Sequence, residues 1–485
     1  MSSRALRRKM NEKEEKEQEE LESETEIVQV THKYSAFDLL EPESADEEQA
    51  ESESSSEATP ISSVSSKKKK EKKKKVMQSE SDGSEELINF PSDFEDEAFN
   101  DYNLEDCFEI DINYLDPEKE LREKMSSKKA SAQKKSGGKQ QHRMTLAGPP
   151  SKALGSHGLH ELGFKFTPNE TASQMMECTE EYEVVRGQLV HFVQTGDVES
   201  IMQLLRENPC HLDTMLVTSD ILKHHSTTDA SMLVNKAIYL ISKALNLLNL
   251  PSVPYEENER NRCVHLALFR RIQFLLKQGC WKTALQVSKA LYALDMRDPL
   301  QVGLILQFLS LQAPDDDIFR YYVQQQNCSP GWRLTKLFKE YSDSEMEAFL
   351  NDFPEAHPVL LNVFTSVKME DVAARMYFKN YFSLWSLYSG PVWKNHPQKD
   401  ALLKLLRKHT PQAVGEEPKL GDSLLPLYRH QALVASDHPS VRLGFPKELL
   451  EMPILLINPF PPMDEWSERS LLDRARDAMR SLLSS

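Results

Sequence analysis

Apolar residues are sparse and scattered up to about residue 160 and become periodic from about Cys178. Tyr182, Val185, Leu189, Phe192 and Val193 recur at helical spacing, Gly196 breaks the stripe, and Asp197 stands where an N-cap belongs. Val198, Ile201, Leu204 and Leu205 form the next stripe, stopped at Asn208-Pro209, so the pair reads as an antiparallel helical hairpin. A longer stripe follows through Met232, Ala237, Ile238, Ile241, Leu245 and Leu248 to Pro251. The clearest hairpin is 262–299. Val264, Leu266, Leu268, Ile272, Leu275 and Leu276 supply its first helix and Gly279 turns the chain. Ala284, Leu285, Val287, Ala290, Leu291 and Leu294 supply the second, closed by Asp295 and Asp298-Pro299. A glycine in the turn, small alanines at the crossing and a proline after the second helix are how tetratricopeptide-type (TPR) repeats pack. Only this unit matches that repeat closely, and regular arrays need three or more. The expected fold is therefore all-α, an irregular TPR-like α-solenoid of helical hairpins.

Further helical segments are expected over 304–311, 319–325, 359–369, 372–387 and 401–406, with a capping box at Ser342-x-x-Glu345. A last amphipathic helix carries Leu471, Ala475, Met479 and Leu482 on one face, after Pro-rich 458–463. No stretch reads as a sheet, and Met175-Met176 sits at helical spacing as core.

Charge separates the two parts of the chain. Residues 1–150 carry 36 of the 76 acidic and 24 of the 59 basic residues, and all five Trp lie beyond them. A segment with so few apolar side chains cannot offset the entropy of ordering its backbone, so residues 1–160 are expected to form a long disordered charged arm before a helical domain at 161–485. The arm is blocky. Residues 11–60 hold 18 acids against three bases; Lys67, Lys68, Lys69, Lys70, Lys72, Lys73, Lys74 and Lys75 follow; 77–123 return to 17 acids against two bases; and 124–152 are basic. Three apolar islands interrupt it: Tyr34-Ser-Ala-Phe37-Asp-Leu39-Leu40, Leu87–Phe90, and Phe108 through Tyr114-Leu115. Such islands read either as peptides that dock onto a partner groove or sheet edge, or as local hydrophobic noise.

Several function classes are excluded by missing chemistry. No phosphate-binding P-loop, no Cys-x-x-Cys, no His-Glu-x-x-His and no nucleophile elbow occurs, so no catalytic, cofactor or metal residues are assigned. His157 and His160 lie in a polar linker, and the adjacent His224-His225 point to different helix faces. The six Cys are at least 17 residues apart, which suits reduced core thiols. No apolar run approaches the ~18 residues of a membrane span, and no signal peptide is read, so cytosol and nucleus are the expected locations. The lysine run reads as a nuclear-import signal or as a sequence-independent contact to RNA. It does not flow into paired amphipathic helices, as a basic DNA-binding region would. Ser79, Ser81, Ser84 and Ser92 precede acidic residues and suit acidophilic kinases.

Together these segments resemble one family: the animal proteins called transcription factor twenty-five, or nuclear localised protein one, and the fungal first subunit of the ribosome quality control complex. The resemblance is carried by Met1-Ser-Ser-Arg-Ala-Leu-Arg-Arg8, by 32–40, by Tyr114-Leu-Asp-Pro-Glu-Lys-Glu-Leu-Arg122, and most strongly by 208–220. Gly279–Leu285, Asn458-Pro-Phe-Pro-Pro-Met-Asp464 and 473–480 add to it. Leu146-Ala-Gly-Pro-Pro150 stands where the family would place a Trp-Pro pair, and its Arg/His-rich stretch is echoed only by Arg429-His430 and Asp437-His-Pro439. The resemblance implies a non-enzymatic adaptor acting on stalled large (60S) ribosomal subunits. Implied partners are a listerin-type E3 ubiquitin ligase and the valosin-containing AAA ATPase, with ubiquitin a further one. The outcome would be ubiquitin-dependent extraction and degradation of the nascent chain. The alternative reading is a nuclear transcriptional regulator, a repressor that binds DNA or other transcription factors.

Overall fold

The helical body is preceded by a β-hairpin. β1 (Phe164–Pro168) pairs antiparallel with β2 (Gln174–Cys178), in a register that sets Phe164 opposite Cys178 and Phe166 opposite Met176. The structure is a computed structural model that describes residues 107–125, 144–149, 158–313, 316–324, 329–365, 375–410, 418, 421–438, 444–446, 449 and 458–462. The turn is tied by Asn169, whose Oδ1 accepts from the amides of Thr171 (3.0 Å) and Ser173 (2.9 Å). Met175 and Met176 are thus strand residues, which corrects the helical assignment. Five residues without a β-branched side chain give too short and weak an alternation to read. What holds β2 is tertiary. Asn261 Oδ1 accepts from the Met176 amide (2.8 Å), and Asn261 Nδ2 donates to the carbonyls of Gln174 (3.2 Å) and Pro254 (2.9 Å).

Fifteen α-helices account for most of the described residues: α1 (Pro117–Met125), α2 (Glu180–Thr195), α3 (Val198–Glu207), α4 (Leu212–Leu222), α5 (Thr227–Ala244), α6 (Arg262–Gln278), α7 (Trp281–Leu294), α8 (Gly303–Gln312), α9 (Asp316–Gln324), α10 (Pro330–Lys339), α11 (Asp343–Asp352), α12 (Ala356–Thr365), α13 (Met376–Trp393), α14 (Lys399–Lys408) and α15 (Leu425–Val434). Consecutive helices pack pairwise as α2·α3, α4·α5, α6·α7 and α12·α13, and these pairs stack on one another through α5·α6, α7·α8 and α8·α13. The all-α solenoid of helical hairpins is the observed architecture, with the β-hairpin added at its start. The loop of the first helical hairpin is built as expected: Gly196 is left-handed (φ 69°), and Asp197 Oδ1 caps α3 through the Ser200 amide at 3.0 Å. Gly279 likewise ends α6 at φ 73°.

Three helices of the solenoid escaped the sequence pattern, and burial explains two of them. α4 buries nine of its eleven residues and α15 all ten, so neither has a polar face to create a stripe. The third, α10, follows Ser329 and opens on Pro330. Two expected details differ. Ser342 does precede α11, but its hydroxyl faces Ser344 Oγ (3.0 Å) and makes no capping bond. His224 and His225 lie in the turn after α4 and not on helix faces. The expected helix over 471–482 lies outside the described residues.

Candidate interaction site

The solenoid carries its own docked peptide. Residues 107–125, read from composition as arm, lie along the α6–α7 hairpin with Cys107, Phe108 and Leu115 fully buried. The Phe108 ring stacks on Tyr292 (centroids 5.1 Å apart) and meets the edge of Tyr321 at 6.3 Å. Gln286 Oε1 accepts from the Asp111 amide at 2.9 Å. Asp116 then starts α1, its Oδ1 accepting from the amides of Glu118 (3.0 Å) and Lys119 (3.2 Å). α1 delivers Glu120 to the N-terminus of α7, where the N-cap residue is Cys280, a side chain that makes no capping bond. The Glu120 carboxylate takes that role from outside. It accepts from the amides of Lys282 (3.1 Å) and Thr283 (2.9 Å) and from the Thr283 hydroxyl (3.0 Å). Burial works to raise the Glu120 pKa, but the Thr283 and Lys282 amides, Lys124 and the Thr283 hydroxyl outweigh it and hold the carboxyl below its ordinary value. Lys124, one turn on, pairs with Glu120 at 3.1 Å, donates to the Gly279 carbonyl and lies 5.4 Å over the Trp281 ring. Beside this peptide Leu146 and Ala147 are buried, and Arg271 Nη2 donates to the Ala147 carbonyl at 3.4 Å.

A second junction ties α2 to α4. The buried Arg186 guanidinium lies 2.8 Å from Glu259 and 3.5 Å from Asp213. Burial opposes its charge, but Glu259, Asp213 and Glu183 more than offset it, so the guanidinium stays charged. Tyr182 Oη, just ahead on α2, accepts from the Leu212 amide at 3.1 Å. On the far side of α4, Asp220 receives Arg270 Nε at 3.1 Å on each oxygen.

A third junction fixes residues 458–462. Arg262 Nη1 donates to Asn458 Oδ1 (2.7 Å), and Arg429 Nε donates to the Phe460 carbonyl (2.8 Å). Both guanidiniums face the Tyr255 ring, at 5.6 and 4.9 Å, and Arg429 Nη1 also reaches Glu256 at 2.9 Å. His430 is held between the Leu300 carbonyl (2.9 Å) and Tyr388 Oη (2.8 Å), and burial pushes its pKa down to about 4.

Among the sequence-predicted site residues, Leu115 is buried within this chain and Tyr114 is partly exposed, with Lys282 Nζ 4.9 Å over its ring. The island that contains them docks onto the chain's own hairpin. The lysines 67–70 and 72–75 and the residues Tyr34, Phe37, Leu39 and Leu40 lie outside the described residues. Among the described residues no group of three or more His, Cys, Asp or Glu could hold a metal ion, and no helix is long and apolar enough to cross a membrane. Glu120, Arg262 and Arg429 were not read from the sequence as binding residues. Only Glu120 had a local signal, an acid in the first turn of a short Asp-Pro-led helix.

Residues 175–462, from β2 to the clamped 458–462 segment, match the model of the family described as transcriptional repressor TCF25. The chain belongs to the TCF25 family. It is 24% identical over 425 residues to ribosome quality control complex subunit 1 of Schizosaccharomyces pombe, a match that takes in 81% of this chain and 63% of that protein. It is 33% identical over 144 residues to ribosome quality control complex subunit TCF25 of Homo sapiens, covering 28% of this chain and 21% of the human one. The probable transcription factor claV of Ampulloclitocybe clavipes is 27% identical over 178 residues, 33% of this chain and 22% of that protein. The chain therefore spans less than two thirds of the length of these relatives. No solved structure gives a significant match.

Among the described residues, three of the segments that carry the family resemblance are anchored by tertiary contacts in the TCF25 fold. Residues 114–122 dock on 279–285, residues 208–220 are tied to α2 and α6, and Asn458 and Phe460 are clamped by Arg262 and Arg429. Their spacing in sequence hides this, because the partners lie 160 or more residues apart in two of the three cases.

Proposed function

We propose that this chain is a non-catalytic adaptor subunit of a ribosome quality control complex. The observation that carries the reading is the match to the fission yeast subunit 1 over 81% of the chain. The architecture suits an adaptor, since a solenoid offers a broad surface and a charged arm ahead of residue 107 extends its reach. On this reading the protein engages stalled large ribosomal subunits and works beside a listerin-type ubiquitin ligase. It helps to bring the valosin-containing ATPase to the ubiquitinated nascent chain. The lysines at 67–70 and 72–75 supply an RNA contact or an import signal, and the protein divides between cytosol and nucleus. The division into a disordered arm and a helical domain near residue 160 is part of the same proposal, with 107–125 and 144–149 as arm segments docked on the domain.

A second reading, transcriptional repression, is favoured by the family's description and by the name of the claV protein. Sedimentation separates the two. Tagged full-length protein should move into 60S fractions of lysate when translation is stalled, at low salt. Replacing the eight lysines by Gln should flatten the salt dependence of that association if they contact RNA. Protein that stays at the top of the gradient with and without a stall would end the ribosomal reading and leave the transcriptional one.

A further inference from the structure

The peptide at 107–125 differs from the helices around it in several respects. It lies ahead of the family match at 175–462. Its helix is nine residues long, no longer than α9, and an isolated helix of that length is marginal in water, so α1 takes its order from the surface beneath it. It keeps Ile112, Tyr114 and Met125 exposed at 50%, 38% and 80%. What the hairpin contacts is a linear pattern of side chains. Phe108 enters between Tyr292 and Tyr321, Leu115 is fully covered, Glu120 caps α7, and Lys124 spans the Gly279 carbonyl and Trp281. Both apolar anchors precede α1, whose buried residue is Glu120, so the surface reads a linear peptide through two apolar pockets, a charged cap and a cation on an aromatic ring.

α7 is also built to need such a ligand. Cys280 at its N-cap position leaves the Lys282 and Thr283 amides without a local acceptor, and both point to Glu120. We propose that the α7 face and the α6–α7 turn form a peptide-docking site for a Phe-x6-Leu-x4-Glu-x3-Lys segment. Residues 107–125 are its resident occupant, exchangeable with the same segment of a second copy of this chain. Because the resident is covalently attached, a rival competes against an effective concentration on the order of mM. Exchange is therefore favoured where several copies gather, and it links them while freeing the arm of each from its own domain.

The test uses the full chain with a specific protease site inserted between Met125 and Met144. After cleavage no covalent bond joins the N-terminal fragment to the solenoid. Fluorescein-labelled peptide 107–125 should then displace it, read by anisotropy and by release of the fragment on gel filtration. The same peptide with Glu120→Ala should compete about ten-fold less well, the loss of one helix cap. A fragment that stays attached through a large excess of peptide would make 107–125 a permanent part of the fold and overturn the proposal. Equal competition by the two peptides would overturn it as well. If the insertion prevents folding, uncut light- and heavy-isotope copies are mixed at high concentration and cross-linked. Mixed-isotope Lys124–Lys282 pairs support exchange, and same-isotope pairs alone refute it.

Discussion

Asn261 carries a prediction that the structure makes quantitative. Its fully buried amide serves three main-chain groups: the Met176 N–H and the carbonyls of Gln174 and Pro254. Asn261→Ala would leave all three without their partner. The Met176 and Pro254 bonds are buried, each costing about 1–3 kcal/mol when one side is orphaned, and the half-buried Gln174 bond stands at the low end. The expected loss is about 4 kcal/mol, which in a body of this size lowers Tm by roughly 10 °C. Hydrogen exchange adds the location. The Met176 amide and the β1–β2 ladder should lose protection first, because Asn261 is what fastens β2 to the helices. Asn261→Asp makes a sharper version. The introduced carboxylate keeps the bond from Met176 but faces two carbonyls, so its folded-state pKa is raised. A raised pKa means that this variant is most stable below the ordinary carboxyl value and weakens as pH rises through the folded one. Melting within about 2 °C of wild type for Asn261→Ala, with Met176 still protected, would refute the account.

The remaining predictions concern other junctions. Glu120 has its pKa lowered, so its contribution to closing the docked peptide is present above the ordinary carboxyl value of 4.5 and lost as pH falls through the folded value. Acid should therefore expose 107–125 to exchange before the solenoid, and simultaneous exposure would contradict this. Gly331→Ala would drive a Cβ into Gln307 Oε1, in a side chain tied to Ser329 Oγ (3.1 Å) and Tyr381 Oη (3.4 Å). Overpacking of about 1–3 kcal/mol then exceeds the ~1 kcal/mol gain in helix propensity, so a lower Tm is expected and a higher one would refute the packing. Arg186→Gln leaves Asp213 and Glu259 buried without their cation and should cost about 3–5 kcal/mol in a denaturant melt. Adding Asp213→Asn should restore part of it.

The class of fold and the placement of the first helical hairpin and of 262–299 were legible in the linear sequence. These features are local: period 3.6 in apolar residues, a left-handed Gly at a helix end, and an Asp at an N-cap are written within one turn of where they act. Helices buried on every side, such as α4 and α15, left no stripe, and the five-residue strands left no readable alternation. Which distant segments meet was settled by packing in three dimensions. Glu120 caps a helix that begins at Trp281, Arg429 reaches the Phe460 carbonyl, and Asn261 completes a strand that ends at Cys178. A buried charge or amide is worth its desolvation only when its partner stands within hydrogen-bonding reach, and no linear pattern states where that partner will be. For that reason Tyr114-Leu115 could be read as a docking island, while its groove, on the same chain, could not.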